Sequence, residues 1–307
     1  MKIIDGLENI KKELPYPVVT LGNFDGVHLG HQAIFDLLKE SAKKNNGTSV
    51  AFTFAPHPLR VIAPERAPKL LTTYKDKIKL IEACGIDLIL CANFTKEFAE
   101  ISAEDFAKNF LCKILGAREI FIGANYLFGK GRKGTPALLR ELGMECGFKV
   151  IVLDEITDHN TIISSSRIRK LIAKGHVDEA AKLLGRKYSV EGIVVEGAKR
   201  GKKLLNTPTA NLLTANELLP KDGVYAVTVE LNKKIYKGAS NIGINPTFRD
   251  KKFSFETHLL DFNGELPGKT LKVNFIKRIR DEIKFPNAEA LAVQLKKDIE
   301  DIKNVLN

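Results

Sequence analysis

Residues Val18–His31 read VVTLGNFDGVHLGH, and the rest of the chain is best interpreted from this pattern. The stretch begins with an apolar run after Pro17, which predicts a buried strand. Three glycines and Asp25 then mark a tight loop. From about residue 31 to residue 43, apolar residues recur at helical spacing and predict a helix. We therefore expect a strand, a glycine-rich loop and the N-terminus of a helix, in that order.

This arrangement favours phosphate binding, because the first turn of a helix offers backbone N–H groups and the positive end of its dipole. His28 and His31 are three residues apart, so both rings can face one side where the helix begins. Two imidazoles beside a phosphate can stabilise the charge that develops on a phosphoryl group during transfer. The alternative is a glycine-rich turn with two solvated histidines. The combination of glycines, Asp25 and both histidines argues against it.

Residues 22–31 resemble the His-x-Gly-His signature of the nucleotidylyltransferase superfamily, and more closely its form in bacterial bifunctional riboflavin kinase/FAD synthetases. The resemblance implies an α/β Rossmann-like domain that transfers AMP from ATP to FMN, giving FAD and pyrophosphate, with Mg²⁺ assisting. It implies catalytic roles for His28 and His31. It also implies contacts with ATP or FMN for four residues of the loop and helix start: Gly22, Phe24, Asp25 and Gly30.

The composition is that of an ordinary globular protein with enough residues for two domains. Of the 307 residues, 44% are hydrophobic and 28% are charged, and no apolar run approaches the roughly 20 residues of a membrane span. The N-terminal residues lack the long apolar segment of a signal peptide. We therefore expect a cytoplasmic protein without a membrane partner.

The charge distribution and the cysteine spacing limit which ligands and metal sites are expected. Acidic residues are interspersed with the basic ones that give the net charge of +11, so phosphate-bearing small molecules explain the excess and nucleic acid is not expected. The four cysteines form no Cys-x-x-Cys pair, which predicts free thiols and no metal site built from them. No oligomeric state is predicted.

A second β-rich run, Thr48–Phe54, ends at a Pro-His-Pro sequence whose prolines hold His57 in an extended loop. Ligands of open α/β sheets bind beyond the carboxyl ends of strands, so His57 lies at the correct edge. Further strands and helices alternate along the chain, which predicts a parallel α/β sheet. The expected strands are residues 87–92, 117–123 and 150–153; the expected helices are one that Thr72 or Thr73 caps and Gly85 ends, and residues 98–115, with Ser102 as a cap.

Two later segments resemble the same family. Asn125 matches a family position that would place substrate, whereas Leu127 replaces the family's Arg, so any phosphate contact of that Arg is absent or supplied by Lys130 or Arg132. The sequence ISSSRIR at residues 163–169 resembles the Ile-Ser-Ser-Thr/Ser-x-x-Arg signature that accompanies His-x-Gly-His. Consecutive serines cap a helix and present hydroxyl and N–H groups, and an arginine adds a permanent cation. The implied ATP or FMN contacts are His57, Asn125, Ser164, Ser165, Ser166 and Arg169.

The periodicity changes after residue 185. Alternating runs separated by turns predict a small antiparallel β-barrel, and an amphipathic helix follows at Ala288–Leu306. We place the domain boundary between residues 184 and 185, giving domains 1–184 and 185–307. The expected strands of the second domain are residues 188–195, 223–231, 234–242, 252–261 and 270–278.

This second domain resembles riboflavin kinases through a Pro-Thr-Ala-Asn motif at residues 208–211. In that family the Thr and Asn oxygens hold Mg²⁺ with ATP, which is suitable chemistry for a hard cation. The resemblance implies that Thr209 and Asn211 are metal ligands and that Glu256 accepts the proton of the riboflavin 5′-hydroxyl as it attacks the γ-phosphate. The implied ATP-binding residues of the kinase site are Gly197, Gly201, Lys202, Pro208, Thr209 and Asn211.

The segment before Pro208 departs from the family pattern. The family reads Gly-Arg-x-Leu-Gly-Phe-Pro, but this chain reads GKKLLNTP at residues 201–208, one residue longer and without the second Gly. A glycine allows the backbone to approach a phosphate closely. We therefore expect FAD synthesis as the main activity, with weak or absent riboflavin phosphorylation.

Two other functions are consistent with parts of the sequence. A different His-x-Gly-His enzyme would adenylylate another phosphate ester such as phosphopantetheine, but the kinase-like barrel argues against it. A flavin-sensing, RNA-binding regulator without catalysis would suit the basic charge. The intact signatures of the first domain argue against that second alternative.

Overall fold

The computed structural model describes residues 1–10, 13–158, 161–195, 209–244 and 253–307. The chain divides into two compact units, Met1–Ser165 and Ser166–Asn307. Within the described ranges, no helix combines the length and the apolar character needed to cross a membrane.

The first unit is built on a six-stranded sheet in which every pairing is parallel. The strand order is β1-β4-β3-β2-β5-β6, which confirms the predicted α/β architecture. Sequence reasoning missed β1, a four-residue edge strand in which Ile4 alone is buried. The strands are β1 (Lys2–Asp5), β2 (Pro17–Leu21), β3 (Thr48–Ala55), β4 (Leu88–Asn93), β5 (Glu119–Gly123) and β6 (Lys149–Leu153).

The helices of this unit connect the parallel strands. Thr73 caps α3 and Ser102 caps α5 through their hydroxyl groups, as predicted, and α5 continues into a π-helical stretch, Phe106–Ile114. A two-stranded hairpin, β7 (Thr157–Asp158) and β8 (Thr161–Ile162), follows the sheet. The helices are α1 (Leu29–Lys44), α2 (Pro58–Ile62), α3 (Tyr74–Ala83), α4 (Lys96–Ala99), α5 (Ala103–Asp105) and α6 (Pro136–Cys146), with 3-10 turns at Leu7–Asn9, Pro64–Arg66 and Lys130–Arg132.

The sheet reverses its direction of growth next to β2. The chain adds β3 and β4 on one side of β2 and then places β5 on its other side. In open α/β sheets, ligands bind outside the carboxyl ends of the strands at such a point. All five residues of β2 are buried, so the loop after β2 is held at the centre of that edge.

The second unit is a closed six-stranded barrel with antiparallel pairing throughout, which confirms the predicted barrel. The strand order around the barrel is β10-β13-β12-β11-β14-β9. Helix α8 packs on β9 and β14. The elements are α7 (Ser165–Lys174), α8 (Val177–Leu184), β9 (Tyr188–Val195), β10 (Thr209–Thr214), β11 (Gly223–Leu231), β12 (Lys234–Ile244), β13 (Phe253–Leu259), β14 (Thr270–Arg280) and α9 (Ala288–Leu306).

Helix α9 lies against the barrel with the apolar face that its periodicity predicts. Ile302 is fully buried in a cluster that includes Val224 and Leu260. Beside the cluster, the Arg280 guanidinium donates to both carboxylate oxygens of Asp298 at 2.8 and 2.6 Å. A bidentate, largely buried ion pair fixes geometry more firmly than a single contact, so it fixes the position of α9 on the barrel.

Candidate active sites

The loop between β2 and α1, residues Gly22–His28, is here called the phosphate loop. It places the N-terminus of α1 at the edge of the sheet formed by the carboxyl ends of the strands. The backbone carbonyl of His28 accepts hydrogen bonds from the N–H groups of His31 (2.8 Å) and Gln32 (3.0 Å), and these bonds close the first turn of the helix. Its first turn contains no acidic residue. A helix start of this kind presents N–H groups and positive potential to an anion.

The two histidines of the signature lie face to face. Their ring centroids are 3.7 Å apart and the ring planes differ by 17°. The ring of Phe24 packs edge-on against His31 at 5.3 Å. Gly30 leaves room for the His28 ring in this stack, because a Cβ there would lie 3.1 Å from Cε1 and Nδ1 of His28. The signature thus builds a single imidazole platform at the helix start.

The phosphate loop contains backbone strain. Phe24 and Val27 have φ values of 48° and 39°, in the left-handed region that a β-branched residue strongly disfavours. Both side chains are almost fully buried. Such conformations cost about 1–3 kcal/mol each and persist only where the surroundings enforce them. Burial of these two apolar side chains is one such constraint.

Asp25 supplies a second constraint. Its buried carboxylate accepts hydrogen bonds from the backbone N–H groups of Leu71 (3.0 Å) and Thr72 (3.2 Å), and from the Thr72 hydroxyl (3.3 Å). The Thr72 hydroxyl in turn accepts a hydrogen bond from the Gly26 N–H at 3.3 Å. These contacts tie the loop to the segment just before α3. Asp25 therefore anchors the loop, and its contact with ATP or FMN stays a prediction.

A hydrogen bond joins the serine signature to the phosphate loop. Ser165 Oγ donates to the backbone carbonyl of Asp25 at 2.9 Å, although the two residues are 140 positions apart. Ser164 immediately precedes it and is half-buried. Ser166 and Arg169 follow on α7, inside the second unit. The structure thus brings the first part of this signature to the His-x-Gly-His loop.

His57 and Asn125 stand at the ends of the strands that flank β2. His57 is the N-cap of α2: its Nδ1 accepts from the Leu59 N–H at 3.2 Å, and its Nε2 lies 3.3 Å from the side-chain amide of Asn23 in the phosphate loop. Asn125 follows β5 and donates from its side chain to Glu155, which follows β6. Both predicted residues therefore lie at the carboxyl edge of the sheet.

Lys130, one of the two cations expected to replace the family's Arg, has another partner. Its Nζ lies 2.6 Å from the Glu100 carboxylate in an exposed ion pair. The phosphate contact expected of Lys130 would require that pair to open.

Sequence reasoning missed two polar side chains at this edge. Nothing in the sequence indicates that Glu155 belongs to the site, because an acidic residue after a strand is common. The position of Lys77 does give an indication: it lies four residues before the buried Ile81 on α3, within the apolar stripe of the helix. A lysine on an inward face is unusual unless its charge is used.

The second unit aligns polar side chains across three strands. Glu256 on β13 is in register with Asn211 on β10 and with Asn241 on β12. Ser254 Oγ donates to the Glu256 carboxylate at 3.0 Å. Thr209 precedes Asn211 by two residues and so lies on the same face of β10. Five oxygen-bearing side chains therefore share one barrel surface.

Thr209 carries a buried hydroxyl oxygen with no hydrogen-bond partner among the described residues. An unsatisfied buried oxygen is a suitable position for a cation ligand. Within the described ranges, no cluster of three His, Cys, Asp or Glu residues could hold a metal ion. The other predicted kinase-site residues, Gly197, Gly201, Lys202 and Pro208, lie outside the described part of the chain.

Comparisons with known proteins match both units. The family model described as FAD synthetase matches residues 10–167, and the one described as riboflavin kinase matches residues 184–306. The two compact units divide between Ser165 and Ser166. The expected domain boundary between residues 184 and 185 stays a prediction.

Relatives are similar over nearly the whole chain. A bifunctional riboflavin kinase/FMN adenylyltransferase of Buchnera aphidicola subsp. Schizaphis graminum is 42% identical, over 100% of this chain and 99% of its own length. The protein of that name from Escherichia coli K12 is 36% identical, over 97% of this chain and 96% of its own. A crystal structure described as a macrolide-efflux protein from Streptococcus pneumoniae has a TM-score of 0.89 at 32% identity, covering 99% of both chains. That description applies to the pneumococcal protein; the similarity shows that the two chains share a fold. This chain belongs to the family of bifunctional riboflavin kinase/FMN adenylyltransferases.

Proposed function

We propose that the first unit transfers AMP from ATP to FMN, giving FAD and pyrophosphate, and that the second phosphorylates riboflavin with ATP. The observation that supports the first activity most directly is the stacked His28–His31 pair at the start of α1. It stands at the carboxyl edge of β2, where the sheet reverses its growth.

In the adenylyl transfer, a phosphate oxygen of FMN attacks the α-phosphorus of ATP. The bond from that phosphorus to the bridging oxygen of the β-phosphate breaks, and pyrophosphate leaves with the electron pair. No protein nucleophile is needed. The histidines donate to oxygens that gain charge in the transition state, and the N–H groups of α1 hold the phosphates. Ser165 adds a donor, and Asn125 and His57 position the substrates.

In the kinase reaction, Glu256 accepts the proton of the riboflavin 5′-hydroxyl while its oxygen attacks the γ-phosphorus of ATP, and ADP leaves. Ser254 holds the Glu256 carboxylate in place through its hydroxyl. Thr209 and Asn211 offer oxygens that would hold Mg²⁺. When bound there, the ion would neutralise phosphate charge. The buried, unpartnered Thr209 hydroxyl fits that role among the described residues.

The loop before Pro208 bears on the rate of this kinase. Leu205 stands where the family has glycine, and it lies outside the residues that the structure describes. On the sequence alone, a side chain at that position would push the backbone from a phosphate by about an ångström, which can cost about 10²-fold in rate. We expect riboflavin phosphorylation to be the slower activity. Deleting Thr207 together with Leu205→Gly and Asn206→Phe should raise it. Wild-type protein that phosphorylates riboflavin as fast as it adenylylates FMN would contradict this expectation.

The acceptor of the AMP group distinguishes the proposal from its alternatives. The full chain is incubated with ATP labelled at the α-phosphate, Mg²⁺ and either FMN or phosphopantetheine. Labelled FAD formed only with FMN is the expected product. Labelled phosphopantetheine product without FAD would assign the other adenylyl transfer. A flavin-dependent gel shift with RNA, without either product, would favour the regulator.

A further inference from the structure

Lys77 is a buried cation beneath the carboxyl edge of the sheet. It projects from α3 and is only 8% exposed. Its Nζ lies 3.1 Å from Thr53 Oγ1, and 3.4 Å from each of two backbone carbonyl oxygens, those of Asn23 and Phe54. Asn23 belongs to the phosphate loop, while Thr53 and Phe54 belong to the end of β3. One side chain therefore contacts the ends of two adjacent strands.

The partners of Lys77 favour its charged form. Thr53 Oγ1 donates its proton to the Asn23 carbonyl at 3.3 Å, so it presents a lone pair to Lys77. The other two partners are carbonyl oxygens, which only accept. Three acceptors match the three protons of an ammonium group. Burial lowers the pKa of Lys77, and electrostatic interactions with Cys91 and then with Asp25 oppose that shift.

No carboxylate lies within ion-pair distance of Lys77 among the residues that the structure describes. The Tyr74 ring lies 5.6 Å from Nζ, and the hydrogen-bond partners are all neutral oxygens, so this buried charge is costly to keep. A surface lysine would avoid that cost, and so would a methionine of similar length. The cost is offset if the cation holds the two strand ends in one arrangement and adds positive potential where phosphates bind.

We propose that Lys77 is a positioning residue of the adenylyl-transfer site, fixing the phosphate loop against the end of β3. The inference rests on the proposed function of that site. The strand end that Lys77 holds leads directly to His57, whose ring also contacts the Asn23 side chain at 3.3 Å. Asn23 is thus held at its backbone by Lys77 and at its side chain by His57. Loss of the ammonium would release both the phosphate loop and His57.

The experiment compares substitutions that separate charge from packing. Lys77→Met keeps the apolar stem and removes the charge, whereas Lys77→Arg keeps the charge and packs poorly. Lys79→Met is the matched control, because Lys79 is exposed on the same helix. Each full-length variant is assayed for FMN-to-FAD turnover at a temperature where its melting curve shows it folded. Riboflavin phosphorylation by the same sample is the internal reference.

A loop displacement of about an ångström can cost about 10²-fold in rate, so Lys77→Met should lower FAD turnover by about 10- to 100-fold. Lys77→Arg should retain more activity than Lys77→Met, and Lys79→Met should stay within about twofold of wild type. A packing role alone gives the opposite order, with methionine more active than arginine, and would overturn the inference. So would Lys77→Met activity equal to wild type.

A double-mutant cycle with Thr53→Val tests the connection itself. Valine keeps the shape of Thr53 and removes the hydroxyl that links Lys77 to Asn23. Residues of one network are non-additive, so the double variant should lose little more activity than Lys77→Met alone. Fully additive losses would show that the two residues act separately and would overturn the proposal. Wild-type chain that makes no FAD would instead refute the proposed function.

Discussion

Replacing Gly30 by alanine tests whether the packing of His28 sets the rate of adenylyl transfer. The new Cβ would lie 3.1 Å from two atoms of the His28 ring. An ordinary contact begins near 3.4 Å, so the ring must retreat by about 0.3 Å. A displacement of 1 Å can cost about 10²-fold, or about 2.7 kcal/mol. In proportion, 0.3 Å corresponds to about 0.8 kcal/mol, or about fourfold in turnover.

The stability of the Gly30→Ala variant should be equal to or higher than that of wild type. Gly30 is the second residue of α1, and alanine is more favourable than glycine in a helix by up to about 1 kcal/mol. The assay is steady-state FAD formation at saturating ATP and FMN, with thermal unfolding of the same sample. We expect about fourfold slower turnover with an unfolding temperature at or above that of wild type. Unchanged turnover would refute the reasoning, as would a slower rate that merely follows a loss of stability.

Three further outcomes are expected. His31→Ala should lower FAD turnover by about 10²-fold or more, with a much smaller change in FMN affinity measured by titration. Asp25→Asn places an amide N–H₂ against backbone donors, so chemical denaturation should show the first unit less stable by about 1–3 kcal/mol. Hydrogen bonds from Arg278 and then Lys221 lower the pKa of Asp281 to about 2. Its stabilisation is therefore fully present above about pH 4, declines below that and is lost as the pH falls through 2. Asp281→Asn should lower the unfolding temperature at pH 7, and the difference from wild type should shrink as the pH falls toward 2.

The elements predicted from the sequence are those with strong local signals. The apolar run of β2, the glycines after it and the spacing in α1 all act within a few residues. Five of the six barrel strands follow from short runs between turns, whereas β10 was not predicted, and α9 shows helical periodicity. Helix α6 was not predicted, and its first residue is Pro136. It occupies the first turn after the Thr135 cap, where a proline is tolerated.

The parts of the site that could not be predicted depend on contacts between distant residues. The bonds from Asp25 to Leu71 and Thr72 join positions 46 and 47 residues apart, and Lys77 reaches Asn23 across 54 residues. Nothing in the local pattern distinguishes Asp25 as an anchor from Asp25 as a ligand. The family resemblance implied Glu256 and Asn211 separately, without their register, because that register is set by strand pairing in the barrel.

The most direct test of two separate activities in one chain is the behaviour of His28→Ala and Glu256→Gln in paired assays. Each variant is supplied with ATP and Mg²⁺ and with either riboflavin or FMN, and the flavins formed are separated and quantified. His28→Ala should convert riboflavin to FMN and accumulate it, with FAD formation reduced by about 10²-fold. Glu256→Gln should make FAD from FMN at the wild-type rate and almost none from riboflavin. Loss of both activities in either folded variant would contradict the account.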